Sequence, residues 1–410
     1  MFETLVRTKP ALARYRDGPL AAERDRYLRH CADQGGTQES MRLRARSILW
    51  FAERMSPDDF GQVDAARLHN IVYGAGSPAA PAPAPSTAAT LVANVRPWLK
   101  YLGWWCAPEA SIPFAPVLER FVTWMRDERG LTQCTVDQWQ YRTAKFLCWC
   151  ADTGRDLAAL QPQDIDAYFV TYGAQRWSRT SAGHVAKMLR VFLRHAASTG
   201  ACSATLAGSI VGPRRYALES LPYALSWDDV RRVIATASSD TERDIRDRAI
   251  LLLLAVYGLR RGEVAALRLD QIDRARGQLN IWRLKRRQPQ VYPLVPTVAR
   301  ALARYVDEVR PRVAHAEVFI RLQAPRIPIS APCLYNIVSR RLCYLGIQAA
   351  HLGPHALRHS CATKLLADGL TLKEIGDHLG HRSTSATMTY TKVDMNSLRQ
   401  VGEFDLGGLQ

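Results

Sequence analysis

Five kinds of side chain near the C-terminal end of this chain could together run a phosphoryl transfer. His355 and Arg358 stand three residues apart in Pro354-His355-Ala356-Leu357-Arg358, where Pro354 opens a helix. That spacing puts both on one face, beside the positive end of the helix dipole. Thr371 and Glu374 form a capping box for a short helix that ends at Leu379-Gly380, and a left-handed Gly380 would swing His381 outward. Nine residues after His381 comes Tyr390, a phenol that could act as nucleophile. Upstream, Arg260 follows a buried helix and a glycine turn, with Glu263 close enough to orient it. Lys285 lies in the charged stretch from Arg283 to Gln290, between two expected strands, from which it can reach out as a mobile cation. Taken singly, each has an ordinary structural explanation: a half-buried aromatic, helix-terminal imidazoles, salt-bridged arginines. As an ordered set they supply a nucleophile, two guanidiniums for non-bridging oxygens, a proton donor for the leaving oxygen and imidazoles for proton transfer.

Positioning such a set takes several elements, and 410 residues are enough for two or three domains. The clearest break is 74–90, whose alternating proline and alanine favour a semi-extended spacer. Before it, 1–73 reads as a small helical extension, with apolar residues at helical spacing over 20–28 and 41–55. After it, 91–213 reads as a helical domain with segments at 117–125, 135–150, 164–172 and 181–197. Gly35, Thr37, Gln38 and Phe51 match Gly130, Thr132, Gln133 and Phe146 at one constant offset. This is either a degenerate repeat of a helical module or two helical pairs with similar turns. A second break near 212–222 precedes a capped helix at 226–237. From there the pattern gives helices at 244–257, 298–309, 333–344, 355–367, 371–379 and 385–390, around a strand pair at 278–282 and 290–295. The expected class is mainly α with a small antiparallel β-sheet.

A formal charge of +17 and 47% hydrophobic residues describe a folded basic protein, for which nucleic acid is the leading partner. Of the 55 basic residues only 8 are lysine and 47 are arginine, which suits bidentate phosphate contacts. The nine cysteines include no C-x-x-C pair, which supports neither a zinc ribbon nor a disulfide framework and fits reduced thiols. No apolar run is long enough for a membrane span, and the start lacks a secretory signal, so a cytoplasmic protein is expected. Neither a G-x-x-x-x-G-K-[ST] phosphate loop nor a carboxylate cluster for two metals is found, and no cofactor or metal is expected.

The run from Gly258 to Leu269, the lysine eight residues before Pro293-Leu294, Pro354 to Leu366, and His378-Leu379-Gly380-His381 followed by Thr389 to Val393 resemble the catalytic domain of the tyrosine recombinase and phage integrase family. The resemblance covers about Leu221 to Val393, so the domain is set at 222–393. It implies that Arg260 and Arg358 clamp the scissile phosphate and Lys285 protonates the leaving 5′ oxygen. His355 would manage the proton of Tyr390, His381 would hydrogen-bond the phosphate, and Glu263 would brace Arg260. It further implies that 91–213 is the core-binding domain of a C-shaped clamp on double-stranded DNA. The tail, 394–410, would pack on a neighbouring protomer in a homo- or hetero-tetramer at synapsed sites, with partner recombinases among the protomers. Arg283, Arg286, Arg287 and Lys187 are expected DNA contacts. The first 110 or so residues exceed a minimal Xer-type member, which points to a mobile-element integrase or transposon recombinase. A type IB topoisomerase would use the same chemistry without strand exchange, and a silent DNA-binding subunit would keep the fold without needing the six chemical positions.

Overall fold

The computed structural model describes residues 1–6, 8–74, 83–106, 113–214, 224–284, 288–348, 352–381 and 387–388. Two units separate by their internal contacts: Met1–Gly61 with Leu68–Trp104 and Ser220–Gln410, and Gln62–Arg67 with Trp105–Glu219. Among the described residues no helix is long and apolar enough to cross a membrane. The class is mainly α with one small antiparallel sheet, as the periodicity implies.

The N-terminal residues form α1 (Phe2–Leu5), α2 (Lys9–Asp17), α3 (Ala21–Asp33), α4 (Gln38–Ala52), α5 (Ala65–Tyr73) and α6 (Pro85–Leu102). Thr37 caps α4 by accepting from the Ser40 amide, and Met41, Ala45, Ile48 and Phe51 recur at helical spacing, every one buried. α6 corrects the sequence reading. A spacer to residue 90 and a domain starting at 91 were expected, but 85–102 is one helix packed on α3 and α4. Pro85 sits in the first turn, where its missing amide costs nothing, and Leu91, Val95, Trp98 and Leu99 bury one face.

Next come α7 (Ala115–Thr123), running on into a π-helical turn at Trp124–Glu128, α8 (Gln133–Asp152), α9 (Pro162–Ala167), α10 (Arg179–Ser198) and α11 (Leu206–Ser209). Their core is aromatic. Phe121 meets Phe192 edge-on at 5.2 Å, and Phe146 meets Tyr168 edge-on at 5.0 Å, an arrangement that suits the ring quadrupoles.

The C-terminal residues build α12 (Trp227–Ala235), α13 (Glu242–Val256), α14 (Arg261–Ala265), β1 (Ile272–Asp273), β2 (Gln278–Arg283), β3 (Gln288–Pro293), α15 (Pro296–Arg304), α16 (Ala331–Tyr344), α17 (Pro354–Ala367) and α18 (Leu372–Leu379). Ala249 to Ala255 is buried without a break. The second half of α13 is therefore apolar all round, and α12, α14, α15, α16 and α17 pack against the helix. The sheet has order β1-β2-β3, all antiparallel, with Leu279 opposite Tyr292 and Arg283 opposite Gln288. β1 was not expected from the sequence; at two residues it is too short to show alternation. The expected helix at 385–390 and the tail at 394–410 fall almost wholly outside the described residues.

Candidate active site

The site is assembled where α13, α14, β2 and α17 converge on the C-terminal end of α18. The chain leaves α13 through Gly258, whose φ of +56° belongs to the left-handed region, and a Cβ there would come within 2.5 Å of the Leu379 side chain. That close turn delivers Arg260 to the start of α14. Its amide donates to Glu263 Oε2 at 2.8 Å, and its guanidinium donates to Oε1 at 2.8 Å and to the Gly380 carbonyl at 2.9 Å.

Glu263 is itself buried and also accepts from Arg283 at 2.7 Å. Here a sequence expectation fails. Arg283 was expected on the DNA-facing surface, yet it is 1% exposed. Its guanidinium donates to Glu263, to Gln290 Oε1 at 2.8 Å, to the His378 carbonyl at 2.7 Å and to the Tyr292 hydroxyl. On β2 the side chains of Leu279, Ile281 and Arg283 share the inward face, so strand alternation carries Arg283 into the interior. It is a brace under Glu263.

Arg358, on the first turns of α17, is 4% exposed and donates to the Gly258 and Leu379 carbonyls, the latter at 2.8 Å. Three consecutive carbonyls at the end of α18 thus each accept from a different arginine: His378 from Arg283, Leu379 from Arg358 and Gly380 from Arg260. These oxygens are the ones a helix leaves without intrahelical partners and carry the negative end of its dipole. They orient the cations without neutralising them. The carboxylate of Glu263 pairs with two of the three guanidiniums, those of Arg260 and Arg283.

Gly380 closes α18 in the left-handed conformation, φ +64°, and His381 follows with Nδ1 2.7 Å from Thr387 Oγ1. Burial lowers the His381 pKa to about 4, helped by the charges of Arg358, Arg260 and Arg283. The imidazole is neutral at pH 7. Because its folded pKa lies below the unfolded value of about 6.5, the unfolded chain binds the extra proton between the two values. The stability of the DNA-free protein linked to His381 is complete above about pH 6.5 and is lost as pH falls toward about 4. Urea midpoints at pH 7.5 and pH 5 should therefore drop further for wild type than for His381→Gln. Parallel drops would show that the histidine is not held neutral.

His355 is exposed on α17, with its ring 5.9 Å from that of His359. Both line a cavity of about 580 Å³ together with Arg260, Arg261, Tyr335 and Arg358. Arg260, His355 and Arg358 are thus brought to one cavity, and His381 directly follows the Gly380 carbonyl to which Arg260 donates. His359 was missed by the sequence reading, although its position directly after Arg358 on a helix start was a usable signal. Lys187 lies on α10, in the other unit, exposed at the rim of a second cavity lined by Trp124, Trp139, Arg194 and His195. Lys285, Arg286, Arg287 and Tyr390 lie outside the described residues. Among the described residues no group of three or more His, Cys, Asp or Glu is placed to hold a metal ion.

A cluster of guanidiniums opening beside two imidazoles has the chemistry to hold a phosphate. Comparison with known proteins gives the family. The model of the "Phage integrase family" matches residues 224–397. The Sinorhizobium fredii protein "Putative integrase/recombinase y4rF" is 34% identical over 300 residues, 72% of this chain and 70% of that protein. The tyrosine recombinase XerC of Pelobacter propionicus is 29% identical over 292 residues, 70% of this chain and 94% of that one. Among solved structures, the XerH site-specific recombinase bound to palindromic difH substrate superposes with a TM-score of 0.57 at 17% identity, covering 70% of this chain and 83% of that one. The chain belongs to the phage integrase family of tyrosine recombinases, enzymes that break and rejoin DNA through a tyrosine nucleophile.

Proposed function

We propose that the chain is a site-specific recombinase whose nucleophile is Tyr390. With the scissile phosphate held by Arg260 and Arg358, the Tyr390 oxygen bonds to phosphorus and the bond from phosphorus to the 5′ oxygen breaks. Lys285 gives that oxygen a proton, while His355 takes the proton of the phenol and His381 hydrogen-bonds a non-bridging oxygen. The 3′-phosphotyrosyl linkage retains the energy of the broken diester. Attack by a 5′ hydroxyl of a partner strand then reverses the step and frees the tyrosine, with no nucleotide consumed. The observation that supports this reading most is the anchoring of Arg260 and Arg358 on neighbouring carbonyls of α18, immediately before His381. Preorganised donors of this kind stabilise charge that develops in a transition state.

In this reading residues 115–210 bind double-stranded DNA, with Lys187 on a phosphate, and Arg286 and Arg287 contact the backbone near the cleavage point. The working assembly is a tetramer on two synapsed sites, and residues 394–410 reach a neighbouring protomer. The N-terminal residues beyond a minimal recombinase, and the integrase/recombinase relative, favour integration or transposition of a mobile element.

Covalent trapping tests the chemistry. Wild-type protein incubated with nicked suicide duplexes from the DNA flanking its gene, in EDTA, should give a protein-DNA adduct on a denaturing gel. Tyr390→Phe should give none. An adduct that persists in Tyr390→Phe would move the nucleophile elsewhere. Relaxation of any supercoiled DNA without paired sites would mark a topoisomerase instead.

A further inference from the structure

Among the described residues, α3, α4 and α6 repeat the arrangement of α7, α8 and α10. Among the described residues, Leu20 (φ +54°) and Phe114 (φ +61°) are the only non-glycines with positive φ, and each is the N-cap of the first helix of its set, α3 and α7. A bulky residue in that region is uncommon enough for the coincidence to count. Arg24, Tyr27 and Cys31 are buried on α3 where Leu118, Phe121 and Met125 are buried on the matching helix and its π-helical turn. Thr37 and Thr132 are the N-caps of α4 and α8. On those helices Met41, Ile48, Phe51 and Ala52 correspond to Val136, Thr143, Phe146 and Leu147, all buried. On α6 and α10, Leu91, Val95, Trp98 and Leu99 correspond to Val185, Leu189, Phe192 and Leu193, again all buried. α3, α4 and α6 pack on one another, as do α7, α8 and α10. Even the ring contacts recur: Tyr101 lies 5.3 Å from Tyr27 and 4.9 Å from His30, and His195 lies 5.5 Å from Phe121 and 5.0 Å from Trp124.

The charges follow the same plan. Arg26 and Arg120 directly precede the buried rings Tyr27 and Phe121, while Lys100 and Arg194 directly precede Tyr101 and His195; all four cations are exposed. Arg44 takes the place on α4 that Trp139 holds on α8. Trp139 lines one cavity with Arg194 and His195, the residues that match Lys100 and Tyr101. Exposed cations at matching places in the two helix sets, Arg26 with Arg120 and Lys100 with Arg194, suit a polyanion.

We propose that residues 20–102 are a second copy of the helical module at 114–197 and bind a second tract of double-stranded DNA through Arg26, Arg44 and Lys100. The choice of ligand rests on the reading of 114–197 as DNA-binding. Footprinting the full-length protein on a long duplex from the DNA flanking its gene should show two protected tracts. The triple variant Arg26→Glu, Arg44→Glu, Lys100→Glu should lose one tract and keep the tract at the cleavage point. Its affinity for the long duplex should fall about tenfold or more, and its salt slope should become shallower by about 2 to 3. Arg120→Glu with Arg194→Glu should do the reverse and lose the tract at the cleavage point. A single tract in wild type, or an unchanged second tract in the triple variant, overturns the proposal. Retention of the cleavage-point tract in Arg120→Glu/Arg194→Glu instead overturns the reading it rests on. If the triple variant fails to fold, seen as loss of both tracts, the pair Arg26→Gln and Lys100→Gln replaces it, with a salt slope shallower by about 2 as the outcome required.

Discussion

Arg358→Ala should lower the single-turnover rate of strand cleavage by about 10² to 10³-fold, the usual cost of deleting one donor from a preorganised charge-stabilising site. Affinity for site DNA should stay within a few-fold of wild type, because the scissile phosphate is one of many phosphates bound. The geometry also says what lysine would do. Arg358 spends parts of one planar fork on the Gly258 and Leu379 carbonyls, and that fixes the direction of the rest. An ammonium has no fork to divide in this way. Arg358→Lys should therefore recover less than about a tenth of the lost rate while binding DNA as well as wild type. Quench-flow cleavage of a suicide duplex, with filter binding alongside, reads both numbers. Recovery to near the wild-type rate would mean that the guanidinium supplies charge alone.

Glu263→Ala should be the most destabilising of single changes around the site. Glu263 and Arg283 are both buried, and the carboxylate is shared with Arg260. Deleting it leaves the Arg283 cation in the interior without its counterion, which costs about 3–5 kcal/mol for a buried pair broken on one side. The Arg260 amide also loses its acceptor at the start of α14. Glu263→Gln keeps the size and one of the two acceptor oxygens but sets an NH2 donor against an arginine donor, so it should lose less stability than alanine and yet cleave more slowly than wild type. Urea titration of the DNA-free variants checks the order. A Glu263→Ala midpoint equal to that of wild type would show that Arg283 finds another anion or reaches water.

Much of this site was readable before any coordinates, because its parts sit at helix ends. The glycine turn before Arg260, the proline opening α17 and the capping box of α18 are local signals, and the structure has those helix ends where the signals put them; His381, expected to swing outward, is instead partly buried against Thr387. Arg283 was misjudged because the charged stretch that follows it drew attention away from the alternation behind it. Leu279 and Ile281 already announce an inward face that reaches Arg283 two residues on. α6 was lost to composition. Alanine and proline read as spacer, although Leu91, Val95, Trp98 and Leu99 carry a helical stripe through Pro97. What no local pattern could show is which carbonyls the arginines choose, since those contacts join residues from 21 to 120 positions apart, as Arg358 does with Leu379 and Arg260 with Gly380.

The three-arginine grip on His378, Leu379 and Gly380 also limits how this chain can vary in length. Successive residues of a helix point about 100° apart, so one residue gained or lost between Thr371 and Gly380 would present each guanidinium with its neighbour's oxygen. Substitutions on the exposed side of α18 leave that alignment untouched. Insertions and deletions do not, and the stretch from Thr371 to His381 behaves as a fixed-length cassette whose outer letters can change while its count cannot.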